Sequence, residues 1–290
     1  MRRTFANLVA LGAGLMTAPA AMAAGMGQPV EWQMNLQQAA TPVMEFIHNF
    51  HNALVVLTTA ISLFVLALLV WVCIKFNAKS NPVPSRTTHN TFVEVVWTVV
   101  PILILIAIAI PSFRLLYFQR DFPAPDMTVK AIGNQWYWSY EYPGQELSFD
   151  QYLKEKDKLQ GDEMYLLATD TEVVVPVNKI VRVIVTANDV LHAWTIPSFG
   201  SKIDAVPGRL NETWFKATKE GVFHGQCSEL CGKDHAYMPI TVRVVAEDEY
   251  NAWLEKAKKD GVEEAQKLLV SMLSTKGKLA HNVTPTLPAN

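Results

Sequence analysis

The sequence predicts a membrane-anchored, all-β protein in two parts. A pair of membrane-spanning helices leads into a water-facing β-sandwich or barrel, with a helix at the C-terminus. Three observations carry this prediction. Two long uncharged apolar runs lie within the first 120 residues, short β-rich stretches separated by turn signals follow, and the last part has helix-forming composition. Half of the 290 residues are hydrophobic, and that share is concentrated at the front. The formal net charge of −2 excludes a strongly basic nucleic-acid binder, so no nucleic-acid partner is expected.

Residues 1–24 read as a signal peptide. Met1-Arg-Arg is a positive start, an apolar run extends from Ala6 to Met16, and Ala21 and Ala23 form an Ala-x-Ala cleavage site. Residues 25–119 then hold an N-terminal segment and a transmembrane hairpin, with spans at about 50–75 and 94–116. The uncharged cores of these spans are 53–74 and 95–113, each near the ~20 residues that cross a bilayer as a helix. Pro101 and Pro111 are tolerable there because neighbouring groups re-satisfy the freed backbone. Trp71, Trp97 and Tyr117 lie towards the span ends, where amphipathic rings favour the interface.

The loop between the spans carries Lys75, Lys79 and Arg86 and no acid, whereas the segment before it has Glu31 and Glu45 and no base. The positive-inside rule therefore puts the loop in the cytoplasm. Both termini and the soluble part fall outside, on the periplasmic side.

The soluble domain is expected at 120–250. Strands are predicted at 127–132, 135–142, 172–177, 180–186, 212–217 and 240–245, punctuated by pairs such as Pro143-Gly144 and Asn188-Asp189. The polar stretch 145–163 reads as an insertion loop. Residues 251–290 are expected to be a C-terminal helix and a flexible tail. The helical composition begins at Glu247 and reaches Leu273, with apolar Trp253, Leu254, Ala257, Ala265, Leu269 and Met272, and the tail after Lys278 reads as disordered.

Chemistry concentrates in Cys227-Ser-Glu-Leu-Cys231-Gly-Lys-Asp-His235-Ala-Tyr-Met238. Two thiols, an imidazole and a thioether are soft or borderline donors that suit copper. Cys227, Cys231 and His235 follow one another at intervals of four, so a compact loop can aim all three inward. His192, in Asp189-Val-Leu-His192-Ala-Trp194 just after a predicted strand, is the candidate for a further ligand. A histidine merely satisfied at a strand end is the blander account of it.

Three readings of the loop compete on spacing alone. A disulfide between Cys227 and Cys231 is natural in an exported chain but leaves the histidines and Met238 unexplained. A structural zinc uses both cysteines, His235 and His192 and has no need of Met238. Copper uses all five side chains, and a second cysteine lets both sulfurs bridge two ions. Cys73, inside the first span, reads as a lipid-embedded packing residue.

The segment Gln226-Cys-Ser-Glu-Leu-Cys-Gly-x-x-His-x-x-Met-Pro239 resembles the dinuclear copper (CuA) motif of subunit 2 of cytochrome c oxidase, of the bacterial aa3 type. Asp189-Val-Leu-His-x-Trp, Lys202-Ile-Asp-Ala-Val-Pro-Gly-Arg209, Gly133-Asn-Gln-Trp-Tyr-Trp-Ser-Tyr-Glu-Tyr142 and Glu94-Val-Val-Trp-Thr-Val-Val-Pro101 are similar to that family too. The resemblance covers roughly residues 45 to 255, in the same order. It implies a cupredoxin-like Greek-key β-sandwich on a two-helix hairpin.

It further implies that His192, Cys227, Cys231, His235 and Met238 hold a two-copper centre through their side chains, with Glu229 adding its backbone carbonyl. The Glu229 carboxylate would reach Mg2+ or Mn2+ shared with catalytic subunit 1, which suits a hard oxygen donor. Trp136 would be where electrons come in from cytochrome c, with Glu141 and Asp189 as docking acids. Asn188 stands where some relatives carry a further acid. Tyr137, opposite Trp136 by period-two alternation, is expected in the core.

Glu94 fits a capping box, Thr91-Phe-Val-Glu94, and the resemblance adds a role in proton uptake for the partner subunit. The implied function is to accept electrons from reduced cytochrome c and pass them to haem in subunit 1, where O2 is reduced to water with proton pumping. The implied partners are subunit 1 and other oxidase subunits, cytochrome c and the lipid bilayer. Three rivals are weaker. A quinol oxidase subunit 2 lacks the two cysteines. A copper-delivery protein has no use for Trp136. Nitrous oxide reductase, with a similar motif, is soluble.

Overall fold

The computed structural model describes residues 26–161 and 163–275, so the expected signal peptide at 1–24 and the tail after Lys278 lie outside the described residues. Two long helices come first, α1 at Pro42–Lys75 and α2 at Thr91–Arg120. Helix α1 begins at Pro42 because Thr41 caps it. The Thr41 hydroxyl accepts the Met44 N–H at 3.0 Å and donates to the Phe199 carbonyl at 2.7 Å. Pro42 sits at a first-turn position, where a missing N–H costs nothing.

The start of α2 corrects the expected capping box by one residue. Asn90, not Thr91, is the cap: its side chain accepts the Val93 N–H at 3.2 Å, and its own N–H donates to Glu94 Oε1 at 3.3 Å. Asparagine is the stronger N-cap of the two, which decides the boundary.

Most apolar side chains of both helices are exposed, over far more surface than a water-soluble protein tolerates. At 1.5 Å per residue the helices run about 45–50 Å, longer than the ~30 Å hydrocarbon core. Their ends therefore stand clear of it and meet the sandwich. Val43 and Met44 of α1 are buried, and the Trp214 indole donates to the Gln119 carbonyl of α2 at 3.2 Å. The Trp214 ring also meets Phe118 edge-on at 5.8 Å.

Ten strands follow: β1 Met127–Asn134, β2 Tyr137–Tyr142, β3 Leu147–Gln151, β4 Val173–Pro176, β5 Ile180–Ala187, β6 His192–Ile196, β7 Ser201–Ala205, β8 Asn211–Lys216, β9 Gly221–Gln226 and β10 Pro239–Val245. One sheet has the order β3-β2-β1-β5-β8, a second β4-β10-β9, and β6-β7 pair by themselves. β1 runs parallel to β5 and β4 parallel to β10, which a simple up-and-down meander cannot give. β2 and β5 bury every second residue and so present one face to the core. β10 is buried along its whole length.

The C-terminal part is two helices rather than the single one expected. α3 spans Glu247–Asp260 and α4 spans Val262–Thr275, broken at Gly261 with φ +92°. Their apolar faces (Trp253, Ala257, Ala265, Leu269 and Leu273) are buried, with Trp253 5.7 Å from Tyr142.

Two further expectations change. The presumed loop at 145–163 opens with β3, which pairs with β2 from Tyr142↔Leu147 to Trp138↔Gln151. Only its end residues, Leu147 and Gln151, are buried, so polar neighbours mask the alternation. Tyr137 is not core. The buried aromatics are Trp138, Tyr140 and Tyr142, because β2 begins at Tyr137 and the alternation runs from there. Tyr137 instead stacks on Tyr152 at 4.7 Å.

Candidate metal centre

Two connections at one end of the sandwich build the site. The first is the entry of the chain into β6, whose first residue is His192. The second is the β9–β10 connection, residues 227–238, clamped at its base by the antiparallel pair Pro239↔Gln226. The Ser228 N–H donates to the Ala193 carbonyl at 3.0 Å and ties the two together. A single 3-10 turn, His235–Tyr237, folds the loop back so that Met238 points into the core.

The donors converge. Cys227 Sγ and Cys231 Sγ are 3.8 Å apart, and both cysteines are free and buried. His192 Nδ1 is 3.8 Å from Cys227 Sγ, and the Glu229 carbonyl is 3.2 Å from the same sulfur. His235 Nδ1 and Met238 Sδ each lie 3.5 Å from Cys231 Sγ. The ligand atoms of His192, Cys227 and Cys231 all fall within 4.8 Å of one another.

A disulfide needs its sulfurs at about 2.0 Å. Two thiolates bound to a common ion at about 2.3 Å each can stand up to about 4.6 Å apart, a range that includes the observed separation. The donor set is three sulfurs, two imidazoles and one carbonyl, and its softness fits copper.

The electrostatics prepare one thiolate. Burial raises a thiol's pKa, but hydrogen bonding to His192 and to the backbone at Glu229 and Ala193 outweighs it, and Cys227 is held at about 7. Burial, then the charge of Cys227, pushes Cys231 up to about 12. Burial opposes a charged His192, yet Cys227 and Asp189 together raise its pKa above the ordinary value. A soft cation entering the site would displace the Cys231 proton and take both sulfurs as thiolates.

Around the donors sits a shell that orients them. Asp189 Oδ1 accepts from His192 Nε2 at 2.9 Å and from the Val190 N–H at 2.6 Å, while Oδ2 accepts the Gln135 N–H at 2.7 Å. Burial would raise the Asp189 pKa, and these hydrogen bonds bring it below the ordinary carboxylate value. A carboxylate on the far nitrogen fixes the ring and leaves Nδ1 for the metal side. Gly133 lies against the imidazole: a Cβ there would fall 2.8 Å from the His192 ring.

Trp138 packs on the other side, its ring 5.9 Å from His192 and its indole N–H donating to the Met238 carbonyl at 3.3 Å. Half-buried Trp136 donates to the Cys231 carbonyl at 3.2 Å, and Gln135 Nε2 reaches the same oxygen at 2.8 Å. Gly232 has φ +125°, and a Cβ on it would meet Trp136 at 2.9 Å, so only glycine lets the loop and the indole lie this close.

The structure thus gathers His192, Cys227, Glu229, Cys231, His235, Met238 and Trp136. The Glu229 side chain faces solvent. Glu141 pairs with Lys130 at 3.0 Å on the outward face of β2. Glu94 stands at the opposite end of α2, away from the site. Sequence reasoning passed over Gln135 and Trp138. With Tyr137 read as the inward residue, the alternation placed Trp138 on the outward face, and nothing in the sequence marked Gln135.

These features define a class: a membrane-anchored β-sandwich whose strand connections hold a thiolate-rich metal centre. Residues 127–245 match the family described as cytochrome c oxidase subunit II, periplasmic domain, and residues 29–115 match its transmembrane domain. The chain is 48% identical over 233 residues to the probable cytochrome c oxidase subunit 2 of Rickettsia bellii, covering 80% of this chain and 87% of that one. It is 47% identical over 269 residues to cytochrome c oxidase subunit 2 of Cereibacter sphaeroides, covering 85% and 89%. The crystal structure of the periplasmic domain of subunit II of the Bradyrhizobium japonicum cytochrome oxidase is 58% identical, with a TM-score of 0.45, over 48% of this chain and 97% of that one.

The chain belongs to the cytochrome c oxidase subunit 2 family. It is therefore a membrane-bound subunit of an oxidoreductase complex, with a His/Cys/Cys cluster suited to copper. The matched region begins earlier than the sequence motifs indicate, at residue 29, and stops at 245, before α3 and α4.

Proposed function

We propose that this chain receives electrons from reduced cytochrome c at a two-copper centre and delivers them to haem in catalytic subunit 1, where O2 is reduced. The observation that carries this reading is the donor count. One tetrahedral ion takes four ligands. Two ions bound here would use every donor present: Cys227, Cys231, His192, His235, Met238 and the Glu229 carbonyl. When bound, the copper pair supplies one-electron chemistry spread over two metal ions.

The protein's part is to hold the donors still. His192 is fixed by Asp189, Met238 is locked under Trp138, and Cys231 is gripped through its carbonyl by Gln135 and Trp136. A rigid cage keeps the geometry alike before and after an electron arrives, which lowers the reorganisation needed for transfer. Trp136, hydrogen-bonded to the backbone of a ligand, is the route inward from a docked cytochrome. Glu141 and Asp189 are the proposed docking acids, and complementary charge of this kind acts on association rate more than on affinity.

The exposed Glu229 carboxylate is assigned to Mg2+ or Mn2+ at the boundary with subunit 1. Glu94 both caps α2 and serves proton uptake on the cytoplasmic side. The spans lie in the bacterial inner membrane, with both termini and the metal domain periplasmic after removal of the signal peptide.

The test is pre-steady-state reduction of the assembled oxidase by cytochrome c. Trp136→Phe should retain its copper and accept electrons at least about tenfold more slowly, since it loses the indole N–H that reaches the Cys231 carbonyl. An unchanged rate with full copper content removes Trp136 from the route.

A further inference from the structure

The chain before α1 carries the two most exposed large apolar side chains among the described residues, Trp32 at 94% and Met34 at 98%. They sit on a loop pinned at both ends to the sandwich. At one end the Gly27 carbonyl accepts the His224 N–H of β9 at 2.7 Å, and a Cβ on Gly27 would fall 2.1 Å from the Val222 carbonyl oxygen. At the other, the Ala40 N–H donates to the Ser198 carbonyl at 2.9 Å, and Gln37 Oε1 accepts the Ser198 hydroxyl at 2.9 Å. Between these ties the loop reaches along α1, where Asn35 Nδ2 donates to Asn52 Oδ1 at 3.1 Å.

Asn52 marks the bilayer boundary, because the uncharged run of α1 starts at Ala53. The other helix gives the same level. Phe46 meets Phe118 at 6.3 Å, and six residues from each along the helices stand Asn52 and Ser112, the latter beside Phe113, where the uncharged run of α2 ends. Trp32 is three residues from Asn35, at most about 10 Å away, which keeps the loop tip at the level of the ~5–8 Å headgroup band. A turn closed by the Gln33 N–H on the Val30 carbonyl at 3.3 Å carries the tip. Trp32 takes its left-handed position at φ +60°, where glycine or asparagine sits more easily.

We propose that the 30–35 loop is an interfacial anchor. Trp32 and Met34 insert into the headgroup region of the leaflet facing the sandwich and hold the metal domain at a fixed height over the bilayer. What they recognise is the headgroup–acyl boundary of phospholipid and not its charge, since Glu31 is the only charged residue at 26–40. A protein partner fits the tip worse. An aromatic side chain buries about 150–250 Å2, so two side chains on a turn fall well short of the roughly 800 Å2 per partner of a stable interface.

The experiment uses the assembled oxidase in phosphatidylcholine vesicles with a photoactivatable phospholipid, its reactive group either at the glycerol or at the end of an acyl chain. Labelled peptides are read by mass spectrometry. The glycerol-level probe should mark residues 30–35 at least about tenfold more than the exposed 155–158 turn, the partition expected of one buried indole, and more than the deep probe does. High salt should leave that ratio unchanged. Trp32→Gly suits the left-handed backbone, so it should melt no lower than the parent while labelling at Met34 falls several-fold. Labelling of the loop no higher than that of the turn, or unchanged in Trp32→Gly, overturns the proposal. So does photoreactive benzoylphenylalanine at position 32 coupling to another oxidase subunit in place of lipid. A lower melting point for Trp32→Gly would mean that the ring packs on protein, and would overturn it as well.

Discussion

Cys231 is the residue on which the site turns. Its sulfur touches Cys227, His235 and Met238, and its carbonyl anchors Gln135 and Trp136. Replacing this thiol should therefore do more than remove one donor: under the proposed two-copper reading, Cys231→Ser should abolish the copper signal altogether, as read by copper content and absorption. Met238→Leu should act more mildly, because a thioether is a weak donor that tunes potential. It should keep copper and shift the reduction potential, a result checked by redox titration. His224 lies outside the site and predicts a pH effect. Burial disfavours its charged form and lowers its pKa, and its Nδ1 is 3.2 Å from both the Leu167 carbonyl and the Thr241 hydroxyl. Below the unfolded value of about 6.5 the unfolded chain binds a proton that the folded one refuses, so stability falls as pH falls through that range. Thermal melting between pH 7 and 5 should show this slope, and His224→Gln should flatten it. The ligands were legible because donor type and spacing are written in one short segment. The supporting Gln135 was not, since its role depends on a carbonyl 96 positions away in sequence.

At the scale of elements, the two spans were plain because bilayer burial demands an unbroken apolar run, whereas sandwich strands need only a few inward residues. That is why β3 hid among charges and why β9, with Gly221 and Gly225, and the short β6–β7 hairpin carried no strand signal. The single helix expected near the C-terminus was split at Gly261, a break that helix-forming composition on both sides conceals. The joint between hairpin and sandwich rests on Thr41, wholly buried, which both caps α1 and holds the Phe199 carbonyl. Thr41→Val removes both bonds and should cost about 1–3 kcal/mol, measured by denaturant unfolding of the sandwich. Trp253 joins α3 to the core beside Tyr142 and Tyr250. Trp253→Ala should cost about 3–5 kcal/mol and expose α3 and α4 to proteolysis while leaving the metal centre in place.

Across the whole molecule, the fold separates two environments and puts the chemistry in one of them. The apolar helices anchor the chain, and their clear ends meet the sandwich through Val43, Met44, Phe118 and Trp214. The metal loop stands on the sandwich, with the pair Pro239↔Gln226 fixing its base and His192 coming from a separate hairpin. Rigidity from two sheets is what allows soft donors from distant parts of the sequence to meet at contact distance. In the proposed function these donors hold two copper ions that share one electron equally. Electron paramagnetic resonance on the oxidised, copper-loaded chain tests it most directly. Two equivalent copper nuclei sharing one unpaired electron should give a seven-line copper hyperfine pattern. A four-line spectrum from a single copper, or a silent site loaded with zinc, would contradict it.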